Sequence, residues 1–124
     1  MNEEEILDQL DQWNRALQTG IPEEVVSLYE HDAILLPTLS NKVRHNHDEI
    51  KDYFVHFLGK DPVGKIDESN IRIFDDIAIN SGIYTFSFKD GSSAQARFTF
   101  VYRKNNEAWK IIEHHSSLLP EGSE

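Results

Sequence analysis

The sequence predicts an α+β fold in which helices come first and a curved antiparallel sheet comes after, wrapped around them. Three observations carry that reading. Apolar residues recur at helical spacing in three segments of the first 58 positions. Apolar and polar residues alternate through most of the remaining chain. Asp90-Gly91 separates two alternating runs, as a tight hairpin demands.

Each element has its own signal. Ile6, Leu10, Trp13 and Leu17 share one face of a helix from Glu3 to about Gln18, which Gly20 ends. Pro22 suits the first turn of a second, shorter helix carrying Val25, Val26 and Tyr29. The apolar run from Ala33 to Leu36, closed by Pro37, reads as a strand, part of a short strand pair between the helices. Asn46 with Glu49 three places later is a capping-box pattern. It opens a third helix with Ile50, Tyr53, Phe54, Phe57 and Leu58 on its apolar face, stopped by Gly59 and Pro62. Further strands are expected from Ile66 to Phe74, Ile77 to Phe88, Ala94 to Lys104 and Trp109 to about Leu118. Tyr84, Phe86 and Phe88 fall on one face of the second of these. Helices gathered on one side of such a sheet close a cone with a pocket inside.

Composition bounds the function. The 124 residues match one domain, with no linker or repeat and a loose tail from Pro120 to Glu124. A formal charge of −10 disfavours contact with nucleic-acid phosphates or an anionic membrane. An anionic ligand would have to be held by local donors against that field. The chain has no cysteine, which excludes disulfides, thiolate nucleophiles and Cys-based zinc sites. The start Met-Asn-Glu-Glu-Glu is acidic where a secretory leader is basic, and no apolar run approaches a membrane span, so a cytoplasmic location is expected.

Four groups of residues could carry chemistry. The first is Glu113-His114-His115-Ser116-Ser117. Strand alternation sets Ile112, His114 and Ser116 on one face and Trp109, Ile111, Glu113, His115 and Ser117 on the other. From spacing alone, solvated polar residues are the commoner explanation. The second is Pro37-Thr38-Leu39-Ser40, two hydroxyls beside a strand end, where turn chemistry competes. The third is Tyr53, a phenol among apolar neighbours, equally suited to the core or to a pocket. The fourth is Arg97 with Thr99: Arg offers a fixed fork to a planar anion, and an exposed cation is the plainer alternative. His31, His45, His47 and His56 show no metal-ligand spacing, and adjacent His114 and His115 cannot easily share one metal, so no metal site is expected.

These pieces together carry a resemblance. The blocks Leu35-Leu36-Pro37-Thr38-Leu39-Ser40, Ile50-Lys51-Asp52-Tyr53-Phe54, Ser81-Gly82-Ile83-Tyr84-Thr85-Phe86, Ala96-Arg97-Phe98-Thr99-Phe100-Val101-Tyr102 and Trp109-Lys110-Ile111-Ile112-Glu113-His114-His115-Ser116-Ser117 resemble iota-class carbonic anhydrases. That class has the fold of the calcium/calmodulin-dependent protein kinase II association domain, in the nuclear transport factor 2-like superfamily. The resemblance runs from about Ile6 to Pro120, and the His-His-Ser-Ser run is its most specific element.

The resemblance implies reversible hydration of carbon dioxide to bicarbonate without a cofactor, in a homodimer formed through the sheet. By the matching positions, Thr38, Tyr53 and Ser116 would hold substrate or a water, with Ser40, Arg97 and Thr99 contributing to substrate binding. The proton would go to His114, because imidazole titrates near neutrality, or leave through a hydroxyl chain. Two alternatives stay open. One is a non-catalytic oligomerisation module acting in trans, since the kinase association domain builds rings from this fold. The other is another pocket enzyme of the superfamily, isomerase- or cyclase-like, which would be favoured by a carboxylate such as Glu113 inside the cavity.

Overall fold

The computed structural model describes residues 2–38 and 40–120, so the expected loose segment after Pro120 lies outside the described residues. Its elements in chain order are α1 (Glu3–Gln18), α2 (Pro22–Val26), β1 (Tyr29–Leu36), α3 (His47–Leu58), β2 (Val63–Phe74), β3 (Ile77–Ser87), β4 (Ser93–Asn105) and β5 (Ala108–Leu118). The five strands form one sheet in the order β1-β5-β4-β3-β2.

Helix α1 forms where the sequence places it. Asn2 caps it by accepting from the Glu5 amide, and Ile6, Leu10, Trp13 and Leu17 are buried in one stripe. It docks on β2 through paired bonds: Asn14 Nδ2 donates to Gly64 O at 2.8 Å and Gly64 N donates to Asn14 Oδ1 at 3.0 Å. A Cβ at position 64 would stand 2.7 Å from Asn14 Oδ1, so glycine admits this close approach.

Helix α2 is shorter than the pattern implies. It stops at Val26, and Tyr29 opens β1 with its side chain buried in the core. Strand β1 runs parallel to β5, so the sheet is mixed, not wholly antiparallel. The expected strand pair reduces to β1 and a single bridge in which Leu35 and Arg44 exchange both backbone bonds at 2.9 Å. That bridge is what fixes Arg44. Asn46 caps α3 by accepting from the Glu49 amide, while the Glu49 carboxylate reaches back to His45 N, one residue earlier than the capping-box pattern specifies.

Two bulges break simple alternation. In β2 the register slips between Ile66 and Glu68 against β3. In β5, Val101 pairs with Glu113 but Tyr102 pairs with Ile111, so Ile112 is extra. Trp109 and Ile111 are therefore buried on the same inner face as His114 and Ser116, where alternation alone places them opposite. Trp109, in turn, donates to Glu5 of α1 at 3.1 Å.

The core lies between α1, α3 and the concave face of the sheet. Trp13 is its centre. It stacks on Tyr84 at 5.9 Å and meets Phe100 edge-on at 5.3 Å. Among the described residues no helix is long and apolar enough to cross a membrane.

Candidate functional site

A cavity of about 300 Å³ opens between the inner face of the sheet, α3 and the segment after β1. Pro37 ends β1 and delivers Thr38 and Ser40 to the wall. Tyr53 reaches the wall from α3, Tyr84 from β3, and His114 and Ser116 from β5. Phe54, Phe57, Phe86 and Phe88 supply an apolar lining.

The polar end of the cavity is one connected array. Thr38 Oγ1 lies 2.6 Å from Ser116 Oγ. The Tyr84 hydroxyl is 2.8 Å from Ser116 Oγ and 3.2 Å from His114 Nε2. His114 Nδ1 is 2.8 Å from the Tyr29 hydroxyl, which accepts from Trp13 Nε1 at 3.1 Å. His114 is clamped between rings: it stacks on Phe100 at 3.9 Å and meets Trp13 edge-on at 5.4 Å.

Burial sets the protonation of this array. His114 has its pKa pushed down to about 3, chiefly by desolvation and secondarily by His115. It is a neutral imidazole at physiological pH, and its burial makes it a weaker base than a free imidazole. Desolvation also raises Tyr84 well above the ordinary phenol value and lifts Tyr53 to about 12, against a lowering by Arg44. The phenols are therefore donors, not phenolates.

The structure brings together His114, Ser116, Thr38, Tyr53 and Ser40, all of which line the cavity. It does not bring Arg97 and Thr99 there. Arg97 pairs with Ser117 and Thr99 with His115, on the outer face of the sheet, and Arg97 is exposed. Alternation along β4 turns Ala96, Phe98 and Phe100 inward, which sends Arg97 and Thr99 out. Glu113 is exposed, so it is not a buried pocket carboxylate.

The cavity's cations are instead Arg44 and Lys60, of which Arg44 is held by the chain around it. Its guanidinium donates to Glu49 O at 3.0 Å and Asp52 Oδ2 at 2.9 Å, and lies 5.7 Å from the Tyr53 ring centre. Lys60 also lines the cavity, and among the described residues no Asp or Glu does, in a chain with 22 acidic residues. Local donors thus oppose the global charge, as an anionic ligand would need. Sequence reasoning missed Arg44 and the linking roles of Trp13, Tyr29 and Tyr84. A tyrosine on the same face as Phe86 and Phe88 was the available signal for Tyr84, because a buried phenol needs a partner; no local pattern marks Arg44.

The lining does not fit a divalent ion. It holds two imidazoles and no carboxylate, and one of these, His114, has both ring nitrogens committed to phenols. Among the described residues no group of three or more His, Asp or Glu is arranged to hold a metal.

Comparison with known proteins agrees with this architecture. The family model for the calcium/calmodulin dependent protein kinase II association domain matches residues 2–120. A crystal structure from Xanthomonas campestris, named for the same association domain, is 46% identical and superposes with a TM-score of 0.93, covering 98% of this chain and 90% of that one. An NTF2-like protein of unknown function from Pseudomonas putida is 17% identical, with a TM-score of 0.82 over 93% of this chain and 84% of its own. A protein from Streptomyces avermitilis, named as a candidate dehydratase of the NTF2-like family, is 15% identical, with a TM-score of 0.84 over 94% of this chain and 95% of its own. The chain therefore has the α+β NTF2-like fold, which also occurs in proteins named for enzymes. No curated protein sequence matches the chain.

Proposed function

The chain belongs to the calcium/calmodulin dependent protein kinase II association domain family, and from that premise we propose that it is a carbonic anhydrase of the iota class, hydrating carbon dioxide to bicarbonate without a metal. One observation carries the reading: a hydroxyl array, Thr38, Ser116 and Tyr84, meets an apolar cavity that contains a cation and no carboxylate. Carbon dioxide suits the phenylalanine walls, and bicarbonate suits the donors.

In this scheme a water held at the hydroxyl array attacks the carbon. The water oxygen bonds to carbon, one C–O π pair moves onto oxygen, and that oxygen collects the negative charge. Hydroxyl donors, with the Arg44 guanidinium at the same cavity, stabilise it. Burial makes His114 a poor base, so in this scheme the water's proton is not left on its ring. It leaves through the cavity mouth. His56 lines the cavity and donates from Nδ1 to Asp52 O at 3.0 Å. Homodimerisation through the outer face of the sheet, where Ile79 pairs with Val101, belongs to the same proposal.

The test is carbon dioxide hydration measured with a pH indicator in stopped flow, on chelator-treated protein. The proposal expects acceleration proportional to protein concentration and a marked decrease in Ser116→Ala. A rate equal to buffer alone would favour the second reading, an assembly module without catalysis. The family description favours that alternative, and it leaves the buried hydroxyl array as a structural network.

A further inference from the structure

Trp13 lines the cavity, and through Tyr29 and His114 it also terminates the chain of hydrogen bonds that reaches the hydroxyl pair. Counting donors fixes the direction in which protons point along that chain. An indole N–H can only donate, so the Tyr29 oxygen accepts from Trp13. Tyr29 is 1% exposed, and its hydroxyl proton needs an acceptor. Among the described residues the other group at that oxygen is His114 Nδ1. Tyr29 therefore donates, and Nδ1 is the acceptor nitrogen.

A neutral imidazole with Nδ1 accepting carries its proton on Nε2. That proton goes to the Tyr84 oxygen, and Tyr84 passes its own proton to Ser116 Oγ. Thr38 and Ser116 then share one bond between two hydroxyls. Whichever of them donates it, one proton at that end is left over for whatever occupies the cavity. The opposite tautomer reverses the chain. Nδ1–H would donate to a Tyr29 oxygen already receiving Trp13, the Tyr29 proton would be orphaned in the core, and the cavity end would offer a lone pair.

We propose that Trp13 is a positioning residue that fixes His114 as the Nε2–H tautomer, so that the Thr38–Ser116 end of the wire presents a donor to an oxyanion or carbonyl oxygen in the cavity. The wire is set in the empty protein and does not depend on carbon dioxide being the substrate. It does specify the ligand class: an acceptor atom, not a donor, meets the Thr38–Ser116 end.

The experiment is two-bond ¹H–¹⁵N NMR of the histidine rings in the full chain at neutral pH. The expected signature for His114 is a proton on Nε2 and a bare Nδ1. Trp13→Phe deletes the anchoring N–H and should bring up Nδ1–H signals of comparable strength. Tyr84→Phe deletes the partner on the cavity side and should leave the tautomer as in the parent. A parent protein with Nδ1–H, a Trp13→Phe spectrum identical to the parent, or a tautomer that flips in Tyr84→Phe overturns the proposal. If Trp13→Phe does not fold, Nδ1–H in the parent or a flipped tautomer in Tyr84→Phe still overturns the proposal. A carbonic anhydrase assay that reads zero beside the expected spectra would refute the proposed activity and leave the wire standing.

Discussion

Thr38 and Ser116 are 78 positions apart in the chain, and their hydroxyl oxygens are 2.6 Å apart. Pro37 ends β1 just before Thr38, and the parallel pairing of β1 with β5, Leu36 opposite His115, sets the two hydroxyls side by side. This contact joins the segment after β1 to the last strand at the polar end of the cavity. Its loss should be felt chemically more than structurally. Ser116→Ala and Thr38→Val should each lower kcat/KM for carbon dioxide hydration by about 10²-fold, the scale of one lost oxyanion donor. Each should cost only about 1 kcal/mol of stability. Indicator kinetics and chemical denaturation measure the two quantities on the same samples.

His114 predicts a stability that depends on pH. Its pKa falls from 6.5 to about 3 on folding. Below pH 6.5 the unfolded chain binds a proton that the folded chain refuses. The stabilisation is therefore complete above that value and is lost as pH falls toward 3, at about 1.4 kcal/mol per pH unit. Urea denaturation at stepped pH should show this slope in the parent and a shallower one in His114→Gln. Equal slopes would mean that His114 titrates normally.

Arg44 should act on the anion and not on the gas. Arg44→Gln removes a held guanidinium from a cavity without carboxylates. The KM for bicarbonate dehydration should rise by about 10-fold or more, the worth of a charge-assisted hydrogen bond, while the KM for carbon dioxide changes little. Steady-state kinetics in both directions would show the asymmetry.

Gly82 predicts a purely structural effect. It faces the bulge in β2, and an added Cβ would collide with the backbone carbonyl of Glu68 and come within 3.2 Å of Ser69 Cα. Backbone atoms cannot rotate aside. Gly82→Ala should destabilise by about 1–3 kcal/mol, read as a lower Tm.

The same features explain what the sequence disclosed. The stripe Ile6, Leu10, Trp13, Leu17 and the alternation through β3 and β4 are local periodicities, and the elements they predict are present. Tyr29 belongs to β1 and not to α2 because the end of a five-residue helix and the start of a strand differ by no local signal. Alternation puts His114 and Ser116 on one face, where they are, but the bulge at Ile112 changes their neighbours. Arg97 resembles a pocket cation because it sits in a strand rich in inward aromatics, yet its own parity turns it out. Arg44 and the Trp13–Tyr29–His114 chain are illegible in the sequence: the bonds of that chain join residues 16 and 85 positions apart, and no spacing rule reaches that far.

The most direct measurement of the central claim is the loss of ¹⁸O from labelled bicarbonate, monitored by mass spectrometry. It reads both directions of the reaction at equilibrium. The account predicts first-order label loss proportional to protein, unchanged by exhaustive chelation, and reduced to the buffer rate in the Thr38→Val, Ser116→Ala double variant. Label loss at the buffer rate with folded parent protein, or activity that appears only when a divalent metal is added back, would contradict it.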